Sequence, residues 1–297
     1  MTINSIKQYL DALRTELNGS DPATIQDALS DAEDHLFSAL EGARGDKPKL
    51  KEADAIGSII AAYGSPAETA AAYREIEARV PPALASAGTT SGKPIFARFF
   101  GIYADPKAWG ALVYLLISLL TGILYFSWAV IGTSTSLAFA LFIFGLPLAA
   151  FFLLSTRGLA LVEGRIVEAL LAERMPRRPL FTNKDLSWQE RLKAGLTDPH
   201  SWKLLLYMLL QLPLGIIYFT LMVFLVSLSL ALLLTPIFQL VYNLPTISIY
   251  SDQYFIPNIW LPFISAVGLL LMTASMHLAK VLGNMHSKYA KGLLISE

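Results

Sequence analysis

The sequence predicts an all-α protein, with a small cytosolic helical domain followed by a four-helix transmembrane domain built from two duplicated helical hairpins. Its 297 residues are 54% hydrophobic. No Asp, Glu, Lys or Arg occurs in the 49 residues between Lys107 and Arg157, and charge-free intervals of 48 and 27 residues follow. One spanning helix needs about 20 apolar residues. These intervals therefore predict four spans, at about 110–132, 137–156, 204–233 and 259–280.

A repeated stretch supports the two hairpins. The stretch from Asp105 to Phe126 recurs as Asp198 to Phe219, at an offset of 93, with 11 identities in 22 positions. Two unrelated apolar helices would match mainly at Leu, whereas here Asp, Pro, Trp, Tyr and Gly match as well. Asp followed by Pro is typical of a helix start. We therefore predict an internal duplication in which each copy opens a hairpin with the same motif: Asp105, Pro106 and Trp109, then Asp198, Pro199 and Trp202.

Residues 1–80 predict a separate domain, the head, made of four short helices whose apolar residues recur at helical spacing. The second helix is expected to run from Pro22 to a stop at Gly42. Gly64 ends the third, and the sequence Ser65–Glu68 is a capping box that opens the fourth.

The remaining segments follow from composition. Residues 81–94 are rich in Pro, Gly, Ser and Thr, which predicts a flexible linker before the membrane domain at 95–297. The GlyThrSerThrSer run at 132–136 predicts the turn of the first hairpin. An amphipathic stretch within 157–203 is expected to lie along the lipid surface. The second hairpin has a longer connection at 236–258.

The distribution of Lys and Arg predicts the orientation. From Lys93 onward, 15 of these residues lie in the segment before the first span, the central segment and the tail. The opposite loops, 132–136 and 236–258, have none. Cytoplasmic loops carry the excess of positive charge. We therefore predict a multi-pass protein with both termini in the cytoplasm.

Two family resemblances add to this interpretation. The run DALSDAEDHLFSALEG, followed by AIGSIIAAYGSPAETAAAY, is similar to the HAAS signalling-domain family over about residues 4–79. That family is a helical module at the N-terminus of many bacterial membrane proteins, and the resemblance implies a cytosolic protein partner and a PadR-like regulator encoded nearby. Residues 98–294, with the duplicated Asp-Pro-x-x-Trp, resemble a bacterial sensor domain of four spans. This second resemblance implies a sensor role in the bacterial inner membrane.

The sequence shows no catalytic signature, and we expect no enzyme activity, cofactor or metal. In the sensor family a histidine kinase often follows, but no kinase or ATP-binding segment occurs before Glu297. A candidate head surface is formed by acidic residues and one histidine on the second helix. Its metal interpretation would have Asp31 and His35 share a ligand, but one His is too few for zinc. The alternative is a solvated acidic face; the residues are Asp27, Asp31, Asp34 and His35.

Three polar residues are expected inside the spans. His277 is predicted to be the ionisable side chain at membrane depth, either with a functional role or reaching the headgroups by snorkelling. Ser118 and Gln211 occupy equivalent places in the two copies, four residues before Gly122 and Gly215. This spacing favours close helix packing over ligand binding.

The outer loop is the candidate input site. The first spans match at an offset of 93, but the cytosolic ends match best at 123, pairing Leu170 with Leu293. The second copy has therefore gained about 30 residues, at roughly 234–262. Long loops often carry function. The alternative is a lid that closes the outer end of the bundle; the aromatic residues in question are Tyr242, Tyr250, Tyr254 and Trp260.

Charge separates the head from the rest of the chain. Residues 1–80 carry 8 basic and 14 acidic residues, a net charge of −6, and the remainder carries 15 and 9, a net charge of +6. We predict a salt-sensitive docking of the head on the basic segment at 174–193. In the alternative, each part follows the charge bias of its own compartment.

These observations favour a non-enzymatic bacterial inner-membrane signalling protein, sensor-like, with a cytosolic helical head. The alternatives are a small transporter or channel component, or a structural membrane protein that recruits cytosolic partners. The expected partners are the lipid bilayer, a cytosolic protein that binds residues 1–80 and a second copy in a homo-oligomer. Direct nucleic-acid binding is not expected, because Glu residues are interleaved with the basic ones.

Overall fold

The computed structural model describes residues 3–46, 51–79, 84, 94–139, 145–178, 195, 197–249 and 252–295. Within these ranges the chain is all-α apart from one small antiparallel hairpin, so the all-α class is confirmed. The head contains α1 Ile6–Glu16, α2 Pro22–Asp46, α3 Glu52–Tyr63 and α4 Pro66–Arg79. The body contains α5 Ile95–Phe100, a 3₁₀ turn Gly101–Ala104, α6 Pro106–Ala138, α7 Gly145–Leu171, α8 Pro199–Leu240, β1 Ile247–Ile249, β2 Asp252–Tyr254, a 3₁₀ turn Asn258–Trp260 and α9 Leu261–Leu294.

The four helices of the head pack around their own apolar core. Gly64 ends α3 with a φ of 114°, a conformation that glycine adopts without steric cost, and the Tyr9 hydroxyl donates to its carbonyl at 2.9 Å. The capping box is confirmed, since the Ser65 amide donates to the Glu68 carboxylate at 2.8 Å and the Glu68 amide donates to the Ser65 hydroxyl at 3.3 Å. The largest buried side chains of this core are Tyr9, Leu13, Leu17, Leu36 and Ile56.

The predicted stop at Gly42 is wrong, because α2 continues to Asp46. A glycine inside a helix costs only about 1 kcal/mol and ends the helix only where the backbone turns left-handed. The predicted linker at 81–94 lies outside the described residues, except for Leu84 and Pro94.

Both copies of the repeat open a long helix as predicted. Asp105 caps α6 by accepting the Lys107 amide at 3.0 Å, and Asp198 caps α8 by accepting the His200 amide at 3.0 Å. Within the described residues, three helices are long and apolar enough to cross a membrane. They are Pro106–Ala138, Pro199–Leu240 and Asn258–Leu294.

The prediction of four spans is therefore corrected to three among the described residues. The predicted second span, 137–156, lies partly outside the described residues and partly on the first turns of α7, which continues to Leu171 with Arg157, Glu163, Arg165 and Glu168. Of these charged residues, Glu163 and Glu168 are buried in the protein, whereas Arg165 is exposed.

The predicted turn at 132–136 is also wrong. These residues are helical and belong to α6, which ends at Ala138. Gly132 lies against the ring of Phe152, where a Cβ would stand 2.1 Å from the ring carbons. Its lack of a side chain thus allows close packing of α6 and α7 rather than a reversal of the chain.

The crossing of α6 and α8 depends on two reciprocal glycines. A Cβ on Gly122 would lie 2.7 Å from the Gln211 carbonyl oxygen, and a Cβ on Gly215 would lie 2.4 Å from the Ser118 carbonyl oxygen. Each glycine therefore packs on the backbone four residues before the other. This confirms the predicted role of this spacing in close helix packing.

The loop after α8 is organised by Gln239, which is only 6% exposed. Its amide nitrogen donates to the Ile256 carbonyl at 2.7 Å, and its amide oxygen accepts from the Thr246 hydroxyl at 2.7 Å and from the Ile256 amide at 3.0 Å. Between these contacts, β1 pairs with β2, with Ile247 opposite Tyr254. One buried amide thus ties both ends of the hairpin to the helix.

Candidate functional site

A buried polar cluster lies among α6, α7, α8 and α9. Its centre is the Glu163 carboxylate on α7, which is 1% exposed. The hydroxyls of Tyr114 and Tyr207 donate to its Oε1 at 2.6 and 2.8 Å, and the hydroxyl of Tyr125 donates to its Oε2 at 3.0 Å. We call this group the polar cluster; its members are Glu163, His286, Tyr114, Tyr125, Tyr207 and Gln211.

His286 on α9 completes the cluster from the side opposite Glu163. Its Nε2 lies 2.6 Å from the Tyr114 hydroxyl and 3.2 Å from the Tyr207 hydroxyl. The Gln211 amide nitrogen donates to the Tyr114 hydroxyl at 3.2 Å. Gln211 thus packs through its backbone, as the sequence indicated, and also joins the cluster through its side chain.

The cluster places ionisable groups in an interior without a cationic side chain beside them. Glu163 and His286 are each 1% exposed, and no described Lys or Arg forms an ion pair with Glu163. The carboxylate is instead held by hydroxyl and amide donors. His286 Nδ1 and Gln211 Oε1 are buried and have no hydrogen-bond partner among the described atoms. Such a cluster is costly to bury, so its presence inside the bundle marks a functional candidate.

Two ion pairs link the hairpins near the starts of α6 and α8. Asp105 pairs with Lys280 of α9 at 2.5 Å, and Asp198 pairs with Arg157 of α7 at 3.1 Å. Each capping aspartate of a repeat copy therefore contacts the second helix of the other copy. The two aspartates are 93 positions apart, and Arg157 and Lys280 are 123 positions apart, which are the two offsets found in the sequence.

The head docks on the segment that follows α7. Asp27 of α2 accepts the backbone amides of Arg177 and Arg178 at 2.6 and 3.0 Å. The Gln26 amide nitrogen donates to the Arg178 carbonyl at 2.9 Å, and the Arg178 guanidinium pairs with Asp31. The structure thus brings the acidic head and the basic segment together, in agreement with the charge argument. We call Arg174–Arg178 the docking segment.

A second docking contact comes from the end of α9. Lys291 Nζ lies 2.6 Å from the Asp21 carboxylate of the head and 2.8 Å from Glu173. Asp21 also caps α2, by accepting the Ala23 amide at 2.9 Å, and Ala23 is fully buried in the core of the body. The contact surface therefore has an apolar part as well as ion pairs.

Asp27 is the most deeply buried charged residue of this surface, at 7% exposed. Burial raises the pKa of its carboxyl, and the backbone amides of Arg177 and Arg178 and the Arg174 guanidinium oppose this rise. The predicted solvated acidic face is therefore incorrect at Asp27, because the docking segment covers it.

Two helices, α7 and α9, connect the polar cluster to the docked head. Glu163 lies on α7, which ends at Leu171 and turns at Ala172, with a φ of 56°, into the docking segment. His286 lies on α9, five residues before Lys291. The docking segment follows α7 directly and Lys291 lies on α9, so both contacts of the head involve the helices that carry the cluster.

The residues predicted for the input loop are not part of this cluster. Tyr242, Tyr254 and Trp260 are 64%, 53% and 57% exposed near the other end of α8, while Tyr250 lies outside the described residues. The repeat-motif residues Trp109 and Trp202 are also exposed.

The remaining predicted residues have local partners. His277 Nε2 lies 3.0 Å from the Phe99 carbonyl and its ring stacks on Phe99, so it holds α5 against α9. Asp31 accepts the Tyr73 hydroxyl at 2.9 Å, and His35 stacks on Tyr63 with ring centres 4.5 Å apart. Asp34 lies on the same helix. The described residues contain no group of three acidic, His or Cys side chains able to hold a metal ion.

Sequence reasoning missed Glu163 and His286, although the sequence contained a signal for them. The offset of 123 that pairs Leu170 with Leu293 also pairs Glu163 with His286, and the offset of 93 pairs Tyr114 with Tyr207. Polar residues at matching positions of two apolar copies were the sign of a shared site.

A comparison with known protein families identifies the family of the helix bundle. The family described as "Putative sensor" matches residues 114–294, which include every member of the polar cluster. No curated protein and no solved structure shows a significant match to the chain. Because the matched residues make up more than half of the chain, the protein belongs to the "Putative sensor" family.

Proposed function

We propose that this protein is a non-enzymatic, sensor-like signalling protein of the bacterial inner membrane, in which the head responds to the packing of the helix bundle. The observation that supports this most directly is the contact of Asp27 with the Arg177 and Arg178 amides. The docking segment follows directly from the helix that carries Glu163. A change at the polar cluster would therefore alter the surface on which the head rests.

An internal duplication is part of this proposal. The reciprocal glycine contacts and the crossed ion pairs of Asp105 and Asp198 are what two related hairpins would form around an approximate twofold axis. Tyr114 and Tyr207 are equivalent in the two copies and contact the same Glu163 oxygen. A site shared by both hairpins is suited to report their relative position.

The head serves as the output module in this proposal. Its resemblance to the HAAS family supports a role in recruiting a cytosolic protein partner. While docked, it has Asp27 covered by the docking segment, so undocking would expose a new acidic surface on α2. Transport and purely structural roles remain the alternatives.

Thiol crosslinking tests the coupling, because the chain contains no cysteine. We expect the variant D31C/R178C to be joined rapidly in membranes by a short bifunctional thiol crosslinker, since the Asp31 carboxylate and the Arg178 guanidinium are in contact across the docking surface. The matched control is E41C/R178C, which moves the first cysteine ten residues, or about 15 Å, along α2.

The decisive comparison adds Y207F, which removes one cluster hydroxyl while keeping its ring. We expect the rate of D31C/R178C crosslinking to change in this background. An unchanged rate in a folded, membrane-inserted protein would contradict the proposed coupling between the cluster and the head.

Labelling tests the proposed topology. A cysteine at Ser251 should react with an impermeant thiol reagent in intact spheroplasts, whereas a cysteine at Ser91 should be protected. The reverse pattern would contradict the assignment of both termini to the cytoplasm.

A further inference from the structure

The hydrogen bonds of the polar cluster define where its hydrogens lie. With Glu163 as a carboxylate, the three tyrosine hydroxyls each donate their single hydrogen to it. The Tyr114 oxygen then has only lone pairs left to offer. His286 Nε2, which lies 2.6 Å away, must therefore carry a hydrogen and donate it to that oxygen. A continuous chain of hydrogen bonds joins the imidazole to the carboxylate through Tyr114.

The net charge of the cluster indicates that it can take up one more proton. With a neutral imidazole, the cluster has a net charge of −1 in a buried site, and no described Lys or Arg pairs with Glu163. An uncompensated buried charge costs several kcal/mol. The titratable groups in contact with His286 are Tyr114 of α6, Tyr207 and Tyr218 of α8 and Tyr289 of its own helix. Glu163 of α7 is linked to it through the Tyr114 and Tyr207 hydroxyls. One added proton makes this whole assembly neutral.

We propose that the polar cluster is a binding site for a single exchangeable proton, shared between His286 and Glu163 through the Tyr114 hydroxyl. The proton has two positions. In one, an imidazolium donates to Tyr114, which donates to the carboxylate. In the other, both hydrogens have moved one step, which leaves a neutral imidazole and a protonated Glu163. Loss of the proton leaves a net negative charge between α7 and α9.

The consequence of this inference rests on the proposed function. In it, the proton is the input and the docking of the head is the response. The two helices that share the proton continue into the docking segment and into Lys291. Loss of the proton weakens the link between α7 and α9, and the surface under the head changes with it. The proton site itself is testable without reference to the head.

The test is nuclear magnetic resonance of the imidazole nitrogens in the full-length chain, labelled with ¹⁵N-histidine and held in lipid nanodiscs. H286Q identifies the His286 signal among the four histidines. We expect His286 to lose one proton in a single step as the pH is raised. In E163Q, which removes the negative charge, we expect His286 to bind its proton about tenfold more weakly or worse, a shift of one pH unit or more.

Two further variants guard against misfolding and nonspecific effects. Y114F keeps the ring but breaks the bridge, so it should weaken proton binding at His286 even if E163Q does not fold. Y218F is the matched control, because the Tyr218 ring contacts His286 edge-on at 5.6 Å while its hydroxyl is outside the bridge. Y218F should leave the titration unchanged.

The outcomes separate the two proposals. If His286 titrates identically in the wild type, E163Q and Y114F, the proton site is disproved. If His286 titrates as expected but the distance between spin labels at E41C and K288C is the same on both sides of the step, the proton site stands and the proposed function fails.

Discussion

The polar cluster and the docking surface both hold a carboxylate with uncharged donors, but they differ in what surrounds it. Glu163 is enclosed by four helices and bonded by side-chain hydroxyls. Asp27 lies between two parts of the chain and is bonded by backbone amides, with partly exposed ion pairs around it. The first arrangement stabilises one packing of the bundle. The second joins two parts of the chain that each have their own apolar core, so in the proposed function the cluster holds a state and the docking surface reports it.

Removing the Glu163 carboxylate should have the largest effect. E163L leaves three tyrosine hydroxyls without their acceptor in the bundle interior, and we expect a loss of about 3 to 5 kcal/mol in bundle stability. E163Q keeps the shape and one acceptor, so its loss should be smaller. Thermal unfolding in detergent, followed by circular dichroism, measures both. Equal stability of E163L and the wild type would show that the cluster is not a packing determinant.

The two equivalent tyrosines should differ from each other. Tyr114 contacts Glu163, His286 and Gln211, whereas Tyr207 contacts Glu163 more loosely and His286 at 3.2 Å. A hydrogen bond to a charged group contributes about 1.5 to 3 kcal/mol. We expect Y114F to lose an amount in this range and Y207F to lose less, by the same unfolding measurement. A larger loss in Y207F would mean that Tyr114 is not the central bridge.

At the docking surface, loss of the Asp27 acceptor oxygen should weaken docking more than loss of its charge. D27A leaves two backbone amides without acceptors, which costs about 1 to 3 kcal/mol of docking free energy. D27N keeps an acceptor oxygen and should dock nearly as well as the wild type. The reason is that burial raises the pKa of Asp27, so the docked state favours its neutral form.

The sign of the pH dependence follows from the same cause. The contribution of Asp27 to docking is greatest when the carboxyl is protonated, and it falls as the pH rises through the raised pKa. D27N should remove this part of the pH dependence. The assay is the distance between spin labels at E41C and K288C, because these labels leave the Asp31–Arg178 and Asp21–Lys291 pairs in place.

The smallest effect is expected at Asp31. Its ion pair with Arg178 has side chains that are 35% and 49% exposed. An exposed pair contributes about 0.2 to 1 kcal/mol and is screened by salt. D31N should therefore weaken docking slightly, and more at low salt than at high salt, by the same spin-label distance. A D31N effect as large as that of D27A would contradict the distinction between buried and exposed carboxylates.

Local features of the fold were predictable from the sequence because they depend on neighbouring residues. The Asp-Pro starts of α6 and α8 and the Ser65–Glu68 capping box are each complete within four residues. The predictions of a turn at 132–136 and a stop at Gly42 were wrong because glycine permits a turn without requiring one. Glycine and hydroxyl residues permit a turn, but packing against Phe152 favours helix at the first site.

The candidate site was harder to predict, because its residues come from four helices and lie up to 172 positions apart in the sequence. No local pattern marks Glu163, which lies among other acidic residues of an amphipathic helix. The charge argument for docking identified the correct surfaces, since net charge is additive along a chain. It did not identify the backbone amides of Arg177 and Arg178, whose availability depends on where α7 ends.

The crossing at Gly122 and Gly215 has a mechanical consequence. Gly122 lies at the middle of α6, 16 positions from both Pro106 and Ala138, so each arm is about 24 Å long. Because the backbones are in contact at this point, a tilt of α6 against α8 would turn about it. A tilt that spreads the ends of the two helices near the loop held by Gln239 would bring their Asp-Pro ends closer together. The two glycines thus set the point about which such a tilt would turn.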